Sequence, residues 1–210
     1  MHQAPPTPDH RPDHEPARLL AVCAGPVTAF RHLQSAIHKQ VLSSLEQPLP
    51  VAVDRLGVRG DEQAETGIHG GPSKAVYMAP VEHWGFWQQQ RAQIGRDEPM
   101  AYGFVGENLT VQGLLEASVC AGDQLIIGDV RLQITEPRIP CLKFNWRMGY
   151  AKAAKQMIQS GRSGWYCAVL ESGNLIAGEP ITLLPGRQLM SIADQLRLQQ
   201  RALERQLDLF

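Results

Sequence analysis

The chain has 210 residues, 43% hydrophobic and 20% charged, with 20 Lys and Arg against 21 Asp and Glu. That size and apolar content predict one globular domain with short additions at its ends. The charge balance excludes a global pull toward nucleic acid or an anionic membrane, so no direct nucleic-acid binding is expected. No apolar run reaches membrane-spanning length and no apolar signal core opens the chain, so a cytoplasmic protein is expected.

Residues 1–16 hold five prolines and three histidines and little that is apolar, the composition of a disordered tail. Residues 19–24 are an apolar run ended by Gly25-Pro26 and predict a strand. Ile37, Lys39 and Val41 alternate with polar neighbours, as does Val51-Ala52-Val53 with what flanks it, predicting further short strands. The stretch from Gly57 to Lys74 carries five glycines. It is too polar for core and too rich in glycine for a helix, which marks a long loop of functional or disordered type. Residues 80–94 predict a helix, with Pro80 at its first position and Trp84, Trp87, Arg91 and Ile94 on one face. Residues 125–127 and 130–134 flank Gly128-Asp129 and predict a two-residue hairpin. Residues 137–141, Pro-Arg-Ile-Pro-Cys, read as a stiff non-helical segment. A helix over 150–160 and strands over 165–170 and 181–184 follow. Residues 188–207 lack glycine and proline, and Leu189, Ile192, Leu196 and Leu203 repeat near a helical period. That helix must pack its apolar face on the domain or on a partner. The sum is a mainly β chain with α elements (α+β): a distorted β-barrel over 17–186 with peripheral helices, then a C-terminal helix over 187–210.

None of the four cysteines forms a close CxxC pair. A zinc ribbon or an iron–sulfur cluster carried by this chain is therefore not expected. Cys23, Cys120 and Cys167 lie in strand-like apolar runs and read as core. Cys141 differs, because it stands between Arg138 and Lys143; nearby cations favour the thiolate, the form that binds soft metals. Two more segments carry chemistry. His69-Gly70-Gly71 with Lys74 can form a concave turn of backbone N–H groups suited to phosphate. Asn108 offers a donor and an acceptor, as recognition of a heterocycle edge requires.

The runs GDEQAETGIHGGPSKAVYMAPVEHWGFW, GFVGENLTVQGL and AGDQLIIGDVRLQITEPRIPCLKFNW, in that order, resemble the MOSC domain, named for the C-terminal part of molybdenum cofactor sulfurase. The resemblance is to its stand-alone bacterial YiiM-type branch and spans roughly residues 18–185. It implies a β-rich barrel-like fold and a molybdenum cofactor (molybdopterin) whose metal is ligated by Cys141. It also implies a reductase that removes oxygen from N-hydroxylated bases such as 6-N-hydroxylaminopurine. By the same resemblance Lys39 lies near the metal as a cation or proton donor, and Asp61, in a Gly-Asp motif, orients it. His69, Gly70 and Gly71 match the cofactor-loop motif and Asn108 an asparagine near the pterin; Lys74, Arg138 and Lys143 are further candidates for binding the cofactor. A homodimer is implied. With no Rossmann fingerprint, flavin motif or iron–sulfur cysteines, electrons should come from a separate reductase protein. The alternative is a carrier of molybdenum cofactor or sulfur with Cys141 as a persulfide site. Relatives usually have a longer helical C-terminal extension than the single helix predicted here.

Gln206-Leu207-Asp208-Leu209-Phe210 resembles the bacterial sliding-clamp-binding pentapeptide, Gln-Leu-Ser/Asp-Leu-Phe, at all five positions. Leu and Phe anchors can enter an apolar groove while Gln sets the register. This implies a clamp-tethered protein; the competing reading is that Leu209 and Phe210 pack on the domain or across a dimer.

Overall fold

The computed structural model describes residues 16–64, 70–187 and 190–207, with side chains in the last helix as far as Arg201. The chain opens with β1 (Arg18–Ala24), the small hairpin of β2 (Thr28–Phe30) and β3 (Leu33–Ser35), and β4 (Gln40–Ser44). β5 (Val51–Asp54), β6 (Gly57–Val58), β7 (Val76–Pro80), α1 (Trp84–Ala92) and β8 (Leu109–Gln112) follow. Then come β9 (Gln124–Ile127), β10 (Val130–Pro137), α2 (Leu142–Met148) and α3 (Ala153–Ser160). β11 (Trp165–Glu171), β12 (Gly173–Leu175), β13 (Ile181–Leu184) and α4 (Ile192–Leu207) complete it. One sheet has the order β13-β9-β10-β11-β7-β8-β1-β4, and a smaller one the order β12-β5-β6. All pairings are antiparallel except β7 with β8.

The large sheet curls until its two sides meet. An antiparallel bridge joins Arg18 to Pro180. The Leu19 N–H donates to the Glu179 carbonyl at 2.9 Å, and the Ile181 N–H to the Ala17 carbonyl at 2.7 Å. β1 is thereby tied to the approach of β13, which curls the sheet into the distorted barrel expected from the sequence and covers part of the β13 edge, while β4 stands at the other edge. β10 shows the alternation that a barrel wall requires: Val130, Leu132 and Ile134 point inward, and Arg131, Gln133 and Thr135 outward. β7 is buried on both faces. Val76 and Met78 join the barrel core, while Tyr77 and Ala79 pack under Trp87, Phe144, Met148 and Met157 of α1, α2 and α3. Where β11 begins, Gly164 has φ +69°, and a Cβ there would stand 2.1 Å from the Met78 carbonyl oxygen, so only glycine lets the two strands come together.

Several sequence expectations change. Residues 36–39 form a loop rather than a strand, because the Ser35 hydroxyl accepts the Ile37 N–H at 3.2 Å and turns the chain. Pro80 ends β7 instead of starting a helix; a 3-10 turn follows and α1 begins at Trp84. Trp87 and Arg91 are buried on α1, but Ile94 lies past its end and is exposed. Residues 142–148 form α2, which the Pro-rich segment before it concealed. Cys23 and Cys167 are core, whereas Cys120 is half-exposed, on an isolated bridge to Ser191. Leu189 lies outside the described residues. No described helix is long and apolar enough to cross a membrane.

α4 docks on the domain through Ile192, 0% exposed, and Leu196, 1% exposed, whereas Leu198 is 50% exposed. Leu196→Ala is expected to lower the unfolding free energy by about 2–5 kcal/mol, and Leu198→Ala to change it by no more than about 0.5 kcal/mol. Urea titration followed by far-UV circular dichroism checks both.

Candidate functional site

The site is assembled from segments that border four strands. After β1, Gly25 passes so close to the next segment that a Cβ would meet the His38 carbonyl oxygen at 2.2 Å. Its N–H donates to Asp61 Oδ1 at 2.9 Å, and Lys39 Nζ donates to the same oxygen. The Lys39 and Asp61 side chains are 6% and 7% exposed. This pair is withdrawn from bulk water and held in one geometry, and removing either member would strand a buried charge. Glu62 adds a second tie, accepting the Val27 N–H at 2.6 Å.

Asn108, just before β8, joins three strands. Its N–H donates to the Tyr77 carbonyl at 2.8 Å and its carbonyl accepts the Cys23 N–H at 2.7 Å. Its side-chain Oδ1 accepts the Tyr77 N–H at 3.0 Å, and Nδ2 donates to the Cys23 carbonyl at 3.3 Å. The amide that the sequence suggested for reading a heterocycle edge is thus largely spent on the scaffold; Asn108 shapes the cleft wall. Beside it, Glu107 is fully buried. Its carboxylate accepts the Gly103 N–H, the Val105 N–H at 3.1 Å and the Thr110 hydroxyl at 2.9 Å. Burial raises its pKa to about 7 even against those hydrogen bonds. The loop it holds buttresses Lys39: a Cβ at Gly103 would stand 2.9 Å from Lys39 Cβ.

The third wall follows β10. Cys141 is half-buried and extended (φ −119°, ψ −177°) at the start of α2, and its side chain does not cap that helix. The buried Arg138 lays its guanidinium 4.8 Å from the Phe144 ring and 5.5 Å from the Tyr77 ring. Among the described residues it forms no ion pair, so aromatic faces hold this cation in place. Lys143 is buried on α2. Lys74 lies 3.4 Å from Glu136 and 5.7 Å from the centre of the Tyr166 ring.

One cleft is lined by Lys39, Asp61, Gln63, Lys74, Tyr77, Asn108, Arg138, Cys141, Lys143 and Tyr166. Seven of the sequence candidates meet there. Gly70 and Gly71 do not line it, and the Gly71 N–H donates to Gln63 Oε1 at 2.7 Å, so that amide is not turned outward for a phosphate. His69, Asp208, Leu209 and Phe210 lie outside the described residues, as do the side chains of Gln206 and Leu207. Sequence reasoning missed Gln63, Tyr77 and Tyr166. Tyr166 read as an ordinary strand residue and Tyr77 fell in a stretch given no element, and nothing local shows which face of a strand will border a cleft.

Residues 65–182 match the MOSC domain, and the chain belongs to that family. Within it, the chain is similar to YiiM proteins. It is 36% identical over 129 residues to protein YiiM of Escherichia coli, a match covering 61% of this chain and 57% of that protein. The crystal structure of YiiM from Geobacillus stearothermophilus superposes with a TM-score of 0.72 at 28% identity, covering 89% of this chain and 85% of that one. A protein of Gibberella moniliformis named a reductase is 37% identical over 182 residues, covering 84% of this chain. This chain spans only 31% of that protein's length. Lys39 and Asp61 precede the matched residues, yet the fold carries both into the cleft with Cys141.

Because burial raises the Glu107 pKa above that of an unfolded carboxyl, the folded state binds the extra proton between about pH 4.5 and 7. Stability must therefore fall as pH rises through that window, by up to about 1.4 kcal/mol per pH unit. Glu107→Gln puts a donor where Val105 N–H needs an acceptor, so it is less stable throughout but loses this slope. Urea titrations of both proteins from pH 4 to 8 measure the difference.

Proposed function

We propose that this protein is a molybdenum-cofactor-dependent reductase of N-hydroxylated bases or related N-oxygenated compounds, of the 6-N-hydroxylaminopurine type. The observation that carries this reading is the convergence of Cys141 with the buried Lys39–Asp61 pair and with Lys74, Arg138 and Lys143 in one cleft. The residues present fit the cofactor. Among the described residues no three His, Cys, Asp or Glu side chains gather as a metal site, so a metal at Cys141 must bring most of its own ligands. A metal chelated by an organic dithiolene does so, and a thiolate suits such a soft centre. The cations of the cleft suit the negative charge of a dithiolene and a phosphate. The reductase name of a relative that matches 84% of the chain supports the reaction class.

When bound, the cofactor supplies a two-electron redox couple. Cys141 holds the metal. Lys74, Arg138 and Lys143 offset the anionic charge, Arg138 from a fixed position over Tyr77 and Phe144. Asp61 aims Lys39, which delivers a proton to the hydroxyl oxygen of the substrate as its N–O bond breaks. The balance is R–NHOH plus two electrons and two protons to R–NH2 and water. The electrons come from a separate reductase protein. General-acid assistance of this kind is worth about 10²–10⁴-fold.

Protein expressed in a host that makes the cofactor should carry near-stoichiometric molybdenum and pterin, and Cys141→Ala should carry neither, as measured by elemental and pterin analysis. Lys39→Met combined with Asp61→Asn, which strands no buried charge, should keep the metal and reduce an N-hydroxylated purine about 10²–10⁴-fold more slowly with an artificial reductant. Metal retained by Cys141→Ala would refute Cys141 as the ligand. A metal-loaded wild type that reduces no N-oxygenated compound would favour the carrier of cofactor or sulfur.

A further inference from the structure

Residues 206–210, Gln-Leu-Asp-Leu-Phe, are a motif that the reading of the cleft leaves unused. The helix that leads to them divides into two parts. Its first turn is fixed: Ile192 and Leu196 are buried, the Ile192 N–H donates to the Val119 carbonyl at 2.9 Å, and the Ala193 N–H to the Glu116 carbonyl at 3.0 Å. Beyond Leu196, Arg197, Leu198, Gln199 and Arg201 are exposed and Gln200 is half-buried. α4 continues to Leu207, about 16 Å past Leu196 at 1.5 Å per residue.

We propose that residues 206–210, which begin in the last turn of α4, are a docking peptide for the bacterial sliding clamp. The pattern supplies what a short peptide needs to bind a groove on a larger protein. Leu207 is one apolar anchor, and Leu209 with Phe210 forms a second, larger one. The Gln206 amide can donate and accept at once and so sets the register, while Asp208 separates the anchors with a polar group that can stay at the rim. A few buried anchors carry most of the energy of such an interface. This inference is independent of the molybdenum reading, because no residue of the cleft takes part.

The test uses the full chain, the Leu209→Ala/Phe210→Ala double variant and a synthetic peptide of residues 201–210, each passed over an immobilised, purified bacterial sliding clamp. The full chain should bind saturably, the double variant should bind at least about tenfold more weakly, and the free peptide should compete with the full chain. Absence of binding by the full chain overturns the proposal, and so does equal binding by the double variant. Binding by the peptide alone also overturns it, since the segment would then be engaged within the protein. Analytical ultracentrifugation of both proteins adds a separate readout. A double variant that loses self-association while keeping its clamp binding assigns the segment to a dimer seam and overturns the proposal.

Discussion

Asn108 makes four hydrogen bonds that hold together the strands on which the site is built. β7 and β8 run parallel, and β1 lies antiparallel on the far side of β8. At the start of such a junction the strands diverge, and backbone groups facing the cleft would lose their ladder partners. Asn108 satisfies Tyr77 on one side and Cys23 on the other with its main chain and its side chain together. A buried polar group without a partner costs more than a made hydrogen bond returns, so these pairings determine where the cleft floor lies. Tyr77, Lys39 and the loop held by Glu107 all take their positions from that floor.

Three of the cations of the cleft are held in different ways. Lys39 is fixed by a buried carboxylate that also accepts the Gly25 N–H. Arg138 rests on aromatic faces and on the sulfur of Met157, 3.2 Å from Nη1. Lys74 lies between Glu136 and the ring of Tyr166. Only the first uses an opposite charge in a dry setting; the second restrains a cation without neutralising it. An anion entering the cleft therefore meets positive charge whose positions are already set, and it does not bear the cost of ordering long side chains.

A second buried network links the barrel to the helices. The Glu116 carboxylate lies 2.9 Å from His83 Nε2 and accepts the N–H groups of Ser163 and Gly164 at 3.0 and 2.6 Å. Gly164 in turn accepts the Arg138 N–H at 3.2 Å, and the Tyr77 hydroxyl donates to the Ser163 carbonyl at 2.7 Å. Two cleft residues are thus tied to one turn whose backbone is fixed from the opposite side. Hydrogen bonds to the Glu116 carboxylate outweigh its burial and keep its pKa below the usual carboxylate value, in contrast to Glu107, where burial prevails.

The sequence by itself determined the elements whose signal is local. The alternation of Val130, Leu132 and Ile134 around Gly128-Asp129 is a hairpin because period two matches the pleat and glycine admits the turn. The buried start of α4 follows from the spacing of Ile192 and Leu196. Cys141, Lys39, Asp61, Lys74, Arg138 and Lys143 were legible as candidates from their motifs and neighbours, and they do meet. What those residues do to one another was not legible. The alternation of Ile37, Lys39 and Val41 imitates a strand, yet Ser35 turns that segment into the loop that brings Lys39 to Asp61. Asn108 has the chemistry of a reader, but one donor and one acceptor of its amide go to Cys23 and Tyr77. Tyr166, Tyr77 and the carboxyl of Glu107 gained their roles only on assembly. Hydrogen bonds between distant strands, close approaches such as Gly25 against His38, and the loss of water around a buried charge exist only once the barrel has closed.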